Sequence, residues 1–409
     1  MLNQIKKIFF EDKLKCLELT FLSLFLIFLP SFEAPKNLFL IAFIFISLYR
    51  KNFTNLINHK WDYRDFTFAL LIFSALLSAL FPGIASGNEW KGFRGITLWV
   101  GFGWLISYVN YKNEEKVFLF YLAILSTIPP LLFGFYQYFF GIKPFLELHS
   151  VGHVNHSAIY LVIIFGSLFG LSIFKINKNN NLNIFLLSLS AFLFLSLVIG
   201  QSRGAFIASL FIFLFFILFL KNPKIKFLLL LFMGLLITSL FIFQSEIVKK
   251  QIANQEQGII LANREKAWNT AIEISRMYPI FGIGNGNWSL IKWEEIKNSV
   301  ESRGLFFDQN RYANFSHPHN IYFSSLADRG FIGLFVFINF MFFWLLEVKK
   351  LYKKKSVNTI FIFGSVSSWI SLFLIGIVNT TFHHENALLS LFFLGLHLSL
   401  LKRKNKLSS

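Results

Sequence analysis

Apolar residues in this chain fall in long blocks, not in alternation or along one helical stripe. A block apolar on every face and long enough to cross roughly 30 Å of hydrocarbon reads as a membrane-spanning helix. Twelve such blocks are predicted, at about residues 15–30, 37–49, 65–82, 95–109, 117–140, 155–174, 183–199, 204–220, 227–244, 321–347, 358–378 and 385–401. The expected fold class is all-α: a polytopic integral membrane protein with about twelve transmembrane helices. The pattern lapses once at length. That lapse divides the chain into spans one to nine (1–244), a loop domain containing helices (245–318), and spans ten to twelve with the C-terminal tail (319–409).

Composition agrees with a bilayer protein. The chain is 55% hydrophobic, with 56 Phe among its 409 residues, and its mean hydropathy is +0.58, which soluble proteins of this length rarely reach. The formal net charge of +18 could suggest nucleic acid, so the positions of the charges decide. Of the 39 Lys and Arg residues, 24 fall on the segments that alternate to the same side as the N-terminus, including Met1–Lys15, Arg50–Arg64 and Lys349–Lys355. Nine of the others lie in residues 245–316, a loop too long to count in the positive-inside rule. The basic excess is therefore a topology signal that puts both termini in the cytoplasm, and no nucleic-acid partner is expected. The single Cys16 excludes an intramolecular disulfide and any CxxC site. The basic N-terminus followed by an apolar stretch resembles a signal peptide, but Pro30-Ser31-Phe32-Glu33 is a poor cleavage site. It reads as a retained first span.

The outer rim carries the candidate chemistry. Seven of the nine histidines fall there, and every even-numbered span points its N-terminus, with unpaired N–H groups and a positive dipole end, at that side. Ser202-Arg203-Gly204 opens span eight. An arginine at a membrane boundary can be a snorkelling anchor, but at an outward helix start it suits a phosphate better. His317-Pro318-His319-Asn320 opens span ten, with Ser316 as N-cap and Pro318 in the first turn. Histidine is the side chain best matched to general-base work near neutral pH. A zinc site built from His153, His156, His317, His319 and the His383-His384 pair competes with neutral rim polarity or contacts to substrate hydroxyls. His153-x-x-His156 is no zinc motif and HExxH is absent, so no metal is expected. His149 completes the rim set.

Within the long loop, Ile260–Met277 reads as an amphipathic helix with Leu261, Trp268, Ala271, Ile272 and Ser275 on one face and Arg264 a turn before Trp268. Pro279, Gly282, Gly284 and Gly286 then form a turn. Residue 287 is Asn and no strand precedes it, so this is not a dinucleotide fingerprint. Asp328 and Arg329 lie about 15 Å along a straight helix from His319. Either span ten starts above the bilayer, or that charged pair is buried in the bundle.

These residues resemble the O-antigen ligase and O-antigen polymerase superfamily of bacterial inner-membrane proteins. The likeness rests on Ser202-Arg203-Gly204, on Asn263-Arg264 with Trp268, on Pro279-Ile280-Phe281-Gly282-Ile283-Gly284, and on His317-Pro318-His319-Asn320 followed by Gly330 and Gly333. It covers roughly residues 200–335. The resemblance implies a glycosyltransferase C-like membrane enzyme without cofactor or metal, its active site facing the periplasm. Its partners would be an undecaprenyl-diphosphate-linked glycan, a lipid A-core acceptor and the bilayer, with the chain a monomer or weak oligomer. By position, His319 would be catalytic, Arg203, Arg264 and His317 would bind the diphosphate, and Asn320, His153 and His156 would contact acceptor or donor. Ligase is the expected member. Polymerase and protein O-oligosaccharyltransferase share the architecture, and the short C-terminal tail argues mildly against the last. A lipid-linked glycan transporter would need polar residues within several spans, which this chain lacks.

Overall fold

A computed structural model describes residues 2–50, 61–149, 151–175, 180–218, 223–242, 264–313, 317–353 and 360–401. These form fifteen α-helices and no strand. In chain order they are α1 (Leu2–Phe28), α2 (Glu33–Arg50), α3 (Tyr63–Leu80), α4 (Asn88–Ser107), α5 (Asn113–Leu125), α6 (Ile128–Phe139), α7 (Val154–Lys175), α8 (Asn180–Ile199), α9 (Arg203–Leu218), α10 (Pro223–Ile242), α11 (Arg264–Met277), α12 (Trp293–Glu301), α13 (Ile321–Lys353), α14 (Ile360–Leu374) and α15 (His384–Leu398). Each predicted apolar block falls on a helix, although α1 already begins at Leu2, well before residue 15, and α4 at Asn88, before residue 95. The fifth is divided into α5 and α6, because Pro129 and Pro130 occupy the first turn of α6 and have no N–H to continue a ladder. Six stretches are long and apolar enough to cross a bilayer: Tyr63–Leu80, Asn113–Phe139, Val154–Phe174, Asn181–Ile199, Ile321–Lys350 and Ile360–Ile377. The chain is an all-helical membrane protein.

Helix α7 is buried along nearly its whole length and packs against α8, α9, α14 and α15, as expected of a helix apolar on every side. Helices α4 and α15 approach closely through small residues. A Cβ on Gly103 would lie 2.8 Å from Leu391 Cβ, and one on Gly395 2.6 Å from Ile106 Cβ. Buried charges fix both ends of α15. Glu385 in its first turn pairs with Lys36 of α2. At the other end Arg64 donates to the carbonyls of Leu401 (3.2 Å) and Leu398 (3.5 Å) and pairs with Glu347 at 3.3 Å. A cation there complements the negative end of the helix dipole.

The loop residues build a second, small core from Ala271, Ile274, Ile283, Trp288, Ile291 and Ile296, closed by Ala327 of α13. Its α11 buries Ala267, Thr270, Ala271 and Ile274. That stripe is turned from the predicted face: Ile272 and Trp268 are only half buried, Trp268 leaning on Phe323 at 5.7 Å between ring centres. Docking onto α13 selects the stripe, which loop amphipathicity alone does not reveal. Leu261 and the rest of 260–263 lie outside the described residues.

The glycine run is more than a turn. Residues 279–284 run beside a break in α13 at Gly330 (φ 65, ψ −166). Ile283 N donates to Ala327 O (2.9 Å), Gly284 N to Asp328 O (3.1 Å) and Phe331 N to Pro279 O (2.8 Å). On the other edge Gly83 N and Ile84 N donate to the carbonyls of Gly282 and Ile283. A Cβ on Gly330 would sit 2.3 Å from Ile280 O, and one on Gly282 2.4 Å from Arg329 N. The break also resolves the placement of Asp328 and Arg329. Helix α13 is not straight, so the pair ends its first short segment, with Arg329 buried and Asp328 half exposed.

Gly330→Ala should therefore cost about 3 kcal/mol or more, because left-handed backbone strain adds to overlap with backbone that cannot yield. Gly141, with φ 70 and open space around its Cβ, should lose only about 1–2 kcal/mol as Gly141→Ala. Denaturant unfolding of the detergent-solubilised variants checks this. Equal losses would show that the close approach contributes nothing.

Candidate functional site

Three helix starts and one loop end meet at the predicted rim. Ser202 precedes α9 and donates from its Oγ to Asn155 Oδ1 of α7 at 3.2 Å, tying the two helix heads together. Gly204 packs against the Ile375–Val378 turn, where a Cβ would meet Ile375 and Val378 methyls at 3.3 Å. Arg203 is thus held at a helix N-terminus, where backbone N–H groups lack intrahelical partners.

Arg264 is the first residue of α11 and is half buried. Burial and the charge of Arg203 both disfavour its protonated form. That electrostatic coupling places the two guanidiniums in one neighbourhood. Like charges brought together in a half-buried site suit an anion that neutralises both.

The histidine pair lies beside them. The rings of His317 and His319 are 4.1 Å apart between centres. Burial, with His319, His156, Arg264 and His153 around it, holds His317 down at about 4. His319 is also lowered, by burial and by Arg264, while a hydrogen bond with Asn379 works the other way. Both imidazoles are neutral at pH 7. His319 takes φ 50, a left-handed conformation that ends any helix before Asn320.

The structure corrects the start of span ten. Helix α13 begins at Ile321, so Pro318 precedes it and is not in its first turn. Asn320 caps the helix: its Oδ1 accepts from Tyr322 N (2.9 Å) and Phe323 N (3.0 Å), and its Nδ2 donates to Ile377 O (2.8 Å). Ser316, the expected cap, lies outside the described residues. Asn320 is buried, and its side chain is committed to the helix cap and to Ile377 O.

His153 and His156 share the electrostatic neighbourhood of His317 and His319. The Nδ1 of His153 accepts from Asn155 N at 3.3 Å, and His156 stacks on His383 at 5.7 Å. His383 and His384 touch at 3.8 Å, with Trp99 edge-on to both. His149 stands apart, between Phe32 and Phe133. Among the described residues, no group of three or more His, Cys, Asp or Glu side chains could hold a metal ion. A cavity of about 840 Å³ opens beside the cluster, lined by His156, His317, His383 and His384 on one side and by Lys91, Arg94 and Arg329 among others. Asn379, the partner of His319, was missed in the sequence. Its only signal there is the polar run Asn379-Thr380-Thr381 before His383.

An all-helical membrane protein with a cationic, base-bearing rim is the class this arrangement defines. Residues 188–338 match the family model described as O-antigen ligase. The match spans Arg203, Arg264, His317 and His319, and supports the O-antigen ligase and polymerase superfamily that the motifs resemble. Members of that family are membrane glycosyltransferase-like ligases and polymerases. No curated protein matches the chain.

The rim histidines give a pH prediction. Burial and neighbouring histidines hold His383 at about 3, whereas in an unfolded chain it titrates near 6.5. Between those values the unfolded state binds more protons, so stability is full above pH 6.5 and falls as pH drops through the window. The melting temperature should decline between pH 7 and 4, and His383→Asn should flatten that decline. An unchanged slope would remove His383 as its source.

Proposed function

We propose that this chain is an O-antigen ligase. It transfers a glycan from undecaprenyl diphosphate to a hydroxyl of the lipid A-core oligosaccharide, with inversion and without a metal. The carrying observation is the convergence of Arg203 and Arg264 with the neutral His317–His319 pair. Two guanidiniums that repel each other become mutually favourable around a diphosphate. The acceptor oxygen attacks the anomeric carbon and its proton passes to His319. The bond from that carbon to the diphosphate oxygen breaks, and the electron pair departs with the diphosphate. Arg203, Arg264 and the N–H groups at the head of α9 stabilise that charge as it develops. His317 supports the diphosphate, while His153 and His156 meet sugar hydroxyls at the edge of the site.

In this reading all twelve apolar blocks cross the bacterial inner membrane. The termini are cytoplasmic, residues 245–318 form a periplasmic domain, and the site faces the periplasm. Polymerase activity is the competing reading within the same family. The lipopolysaccharide profile after gene deletion separates them: a ligase leaves bare core with accumulated lipid-linked polymer, a polymerase leaves a single-repeat cap.

Arg203→Ala and Arg264→Ala should each reduce transfer by about a hundredfold or more at normal membrane abundance. Arg203→Lys should restore it only in part, since lysine lacks the bidentate fork. His319→Ala should cost about 10²–10⁴ in rate while donor binding persists, and transfer should survive excess EDTA. Wild-type transfer by both arginine variants would return those residues to anchoring roles. A larger loss in His317→Ala than in His319→Ala would exchange the two histidines.

Topology is checked with cysteines in a Cys16→Ser background. Asn310→Cys, on the exposed surface of the loop, should react with an impermeant maleimide in spheroplasts, whereas Lys349→Cys should not. The reverse labelling would invert the orientation.

A further inference from the structure

The proposed transfer uses one side of the His317–His319 pair. The cavity of about 840 Å³ touches His317 but is not lined by Arg203, Arg264 or His319. Its wall is built from the first turns of α2 and α15 and the first two turns of α4, which contribute Lys36, His384, Lys91 and Arg94. Helix starts offer backbone N–H groups and positive dipole ends to whatever lies before them. Arg329 adds a further cation from the break in α13. Two carboxylates, Glu33 and Asp328, also line the wall, and Lys36 is already paired with Glu385.

A second, independent observation points to a ligand. Arg329 is only 6% exposed; its Nη2 donates to Ser325 Oγ at 2.8 Å, but its Nε is buried without a hydrogen-bond partner. Trp288, 3% exposed on the same wall, likewise has an indole N–H with no partner. Neither group can accept a hydrogen bond, and buried donors are almost always satisfied. Both require an acceptor from outside the chain.

We propose that this cavity binds an anionic saccharide, a sugar carrying phosphate or carboxylate, on the lipid-anchored acceptor of the transfer. This rests on the transferase reading given above. In an inverting displacement the attacking hydroxyl and the departing diphosphate lie on opposite sides of the anomeric carbon. The arginine clamp takes the diphosphate, so the acceptor enters from the cavity, which neither Arg203 nor Arg264 lines, and its hydroxyl reaches His319 past His317, whose ring centre lies 4.1 Å from that of His319. Lys91 and Arg94 steer its charge, Arg329 Nε and Trp288 Nε1 donate to its oxygens, and Trp99 offers a flat apolar surface to the sugar ring.

Binding, measured separately from transfer, tests this on the full chain in nanodiscs. The probes are a lipid-anchored oligosaccharide bearing sugar phosphates, the same molecule after dephosphorylation, and a lipid-diphosphate-linked glycan. The wild type should prefer the phosphorylated acceptor by about tenfold or more. Lys91→Ala/Arg94→Ala, at two exposed positions, should abolish that preference, and Arg329→Gln should reduce it. Arg203→Ala/Arg264→Ala should instead weaken the diphosphate-linked glycan alone. Equal wild-type affinity for both acceptor forms would overturn the proposal, as would a Lys91/Arg94 loss confined to the diphosphate-linked glycan. Selective acceptor binding without any glycan transfer would sustain this site while refuting the transferase reading.

Discussion

Backbone meets backbone where residues 279–284 lie in the break of α13, and the site depends on that contact. It has no side-chain tolerance: Gly282 and Gly330 each approach the opposing main chain closer than any Cβ permits. In return the break lets carbonyls of Ala327 and Asp328 accept from the strip, so interrupting the helix leaves few groups unsatisfied. The contact fixes α11 against α13, and through α11 it fixes Arg264 beside a bundle to which it has no sequence-local connection. Asn287 reinforces the other edge, donating to Ile84 O at 2.6 Å and to Glu89 at 3.1 Å. The loop domain is thus clamped between α3–α4 and α13.

With the loop so fixed, the electrostatics of the rim follow. Burial keeps the histidines neutral, and the same burial makes two adjacent arginines costly without an anion. The cluster therefore combines proton-accepting bases with like-charged guanidiniums, a pairing suited to a reaction that releases a proton from one partner and an anion from the other. The opposite end of the bundle behaves differently. There Arg64 with Glu347 and Arg50 with Glu18 are internally paired, which leaves charge that stabilises packing and does not call for a ligand.

Much of this was legible in the sequence. Uninterrupted apolar blocks gave the helices, because lipid and helix core both require apolar side chains and nothing else in the chain has that length. Arg203, His317 and His319 stood out as polar residues at predicted helix starts, and Arg264 through the family resemblance. What stayed hidden was anything set by docking. The stripe buried by α11 depends on α13, and the cap of α13 depends on His319 adopting a left-handed conformation. Asn379 acquires its role only because the turn after α14 returns beneath His319, a tertiary fact with no local pattern. The glycines of 279–284 read as a turn because close approach between distant backbones leaves the same mark as local flexibility.

Strain marks the same place. Among the described residues, three non-glycine residues have positive φ: Gln201 (54), His319 (50) and His384 (40). Gln201 lies two residues before α9, His319 two before α13, and His384 begins α15. Such conformations cost on the order of 1–3 kcal/mol each and persist only where the surroundings over-determine them. Here those surroundings are the Ser202–Asn155 link, the Asn320 cap and the Lys36–Glu385 pair. Each device sits within one residue of the strained position it holds. Strain spread at random would fall on exposed loops, where nothing opposes relaxation. Confined to three helix heads at one rim, it fixes the directions of Arg203, His319 and His384 before any substrate arrives, so the ordering of these groups is completed in folding and not drawn from binding.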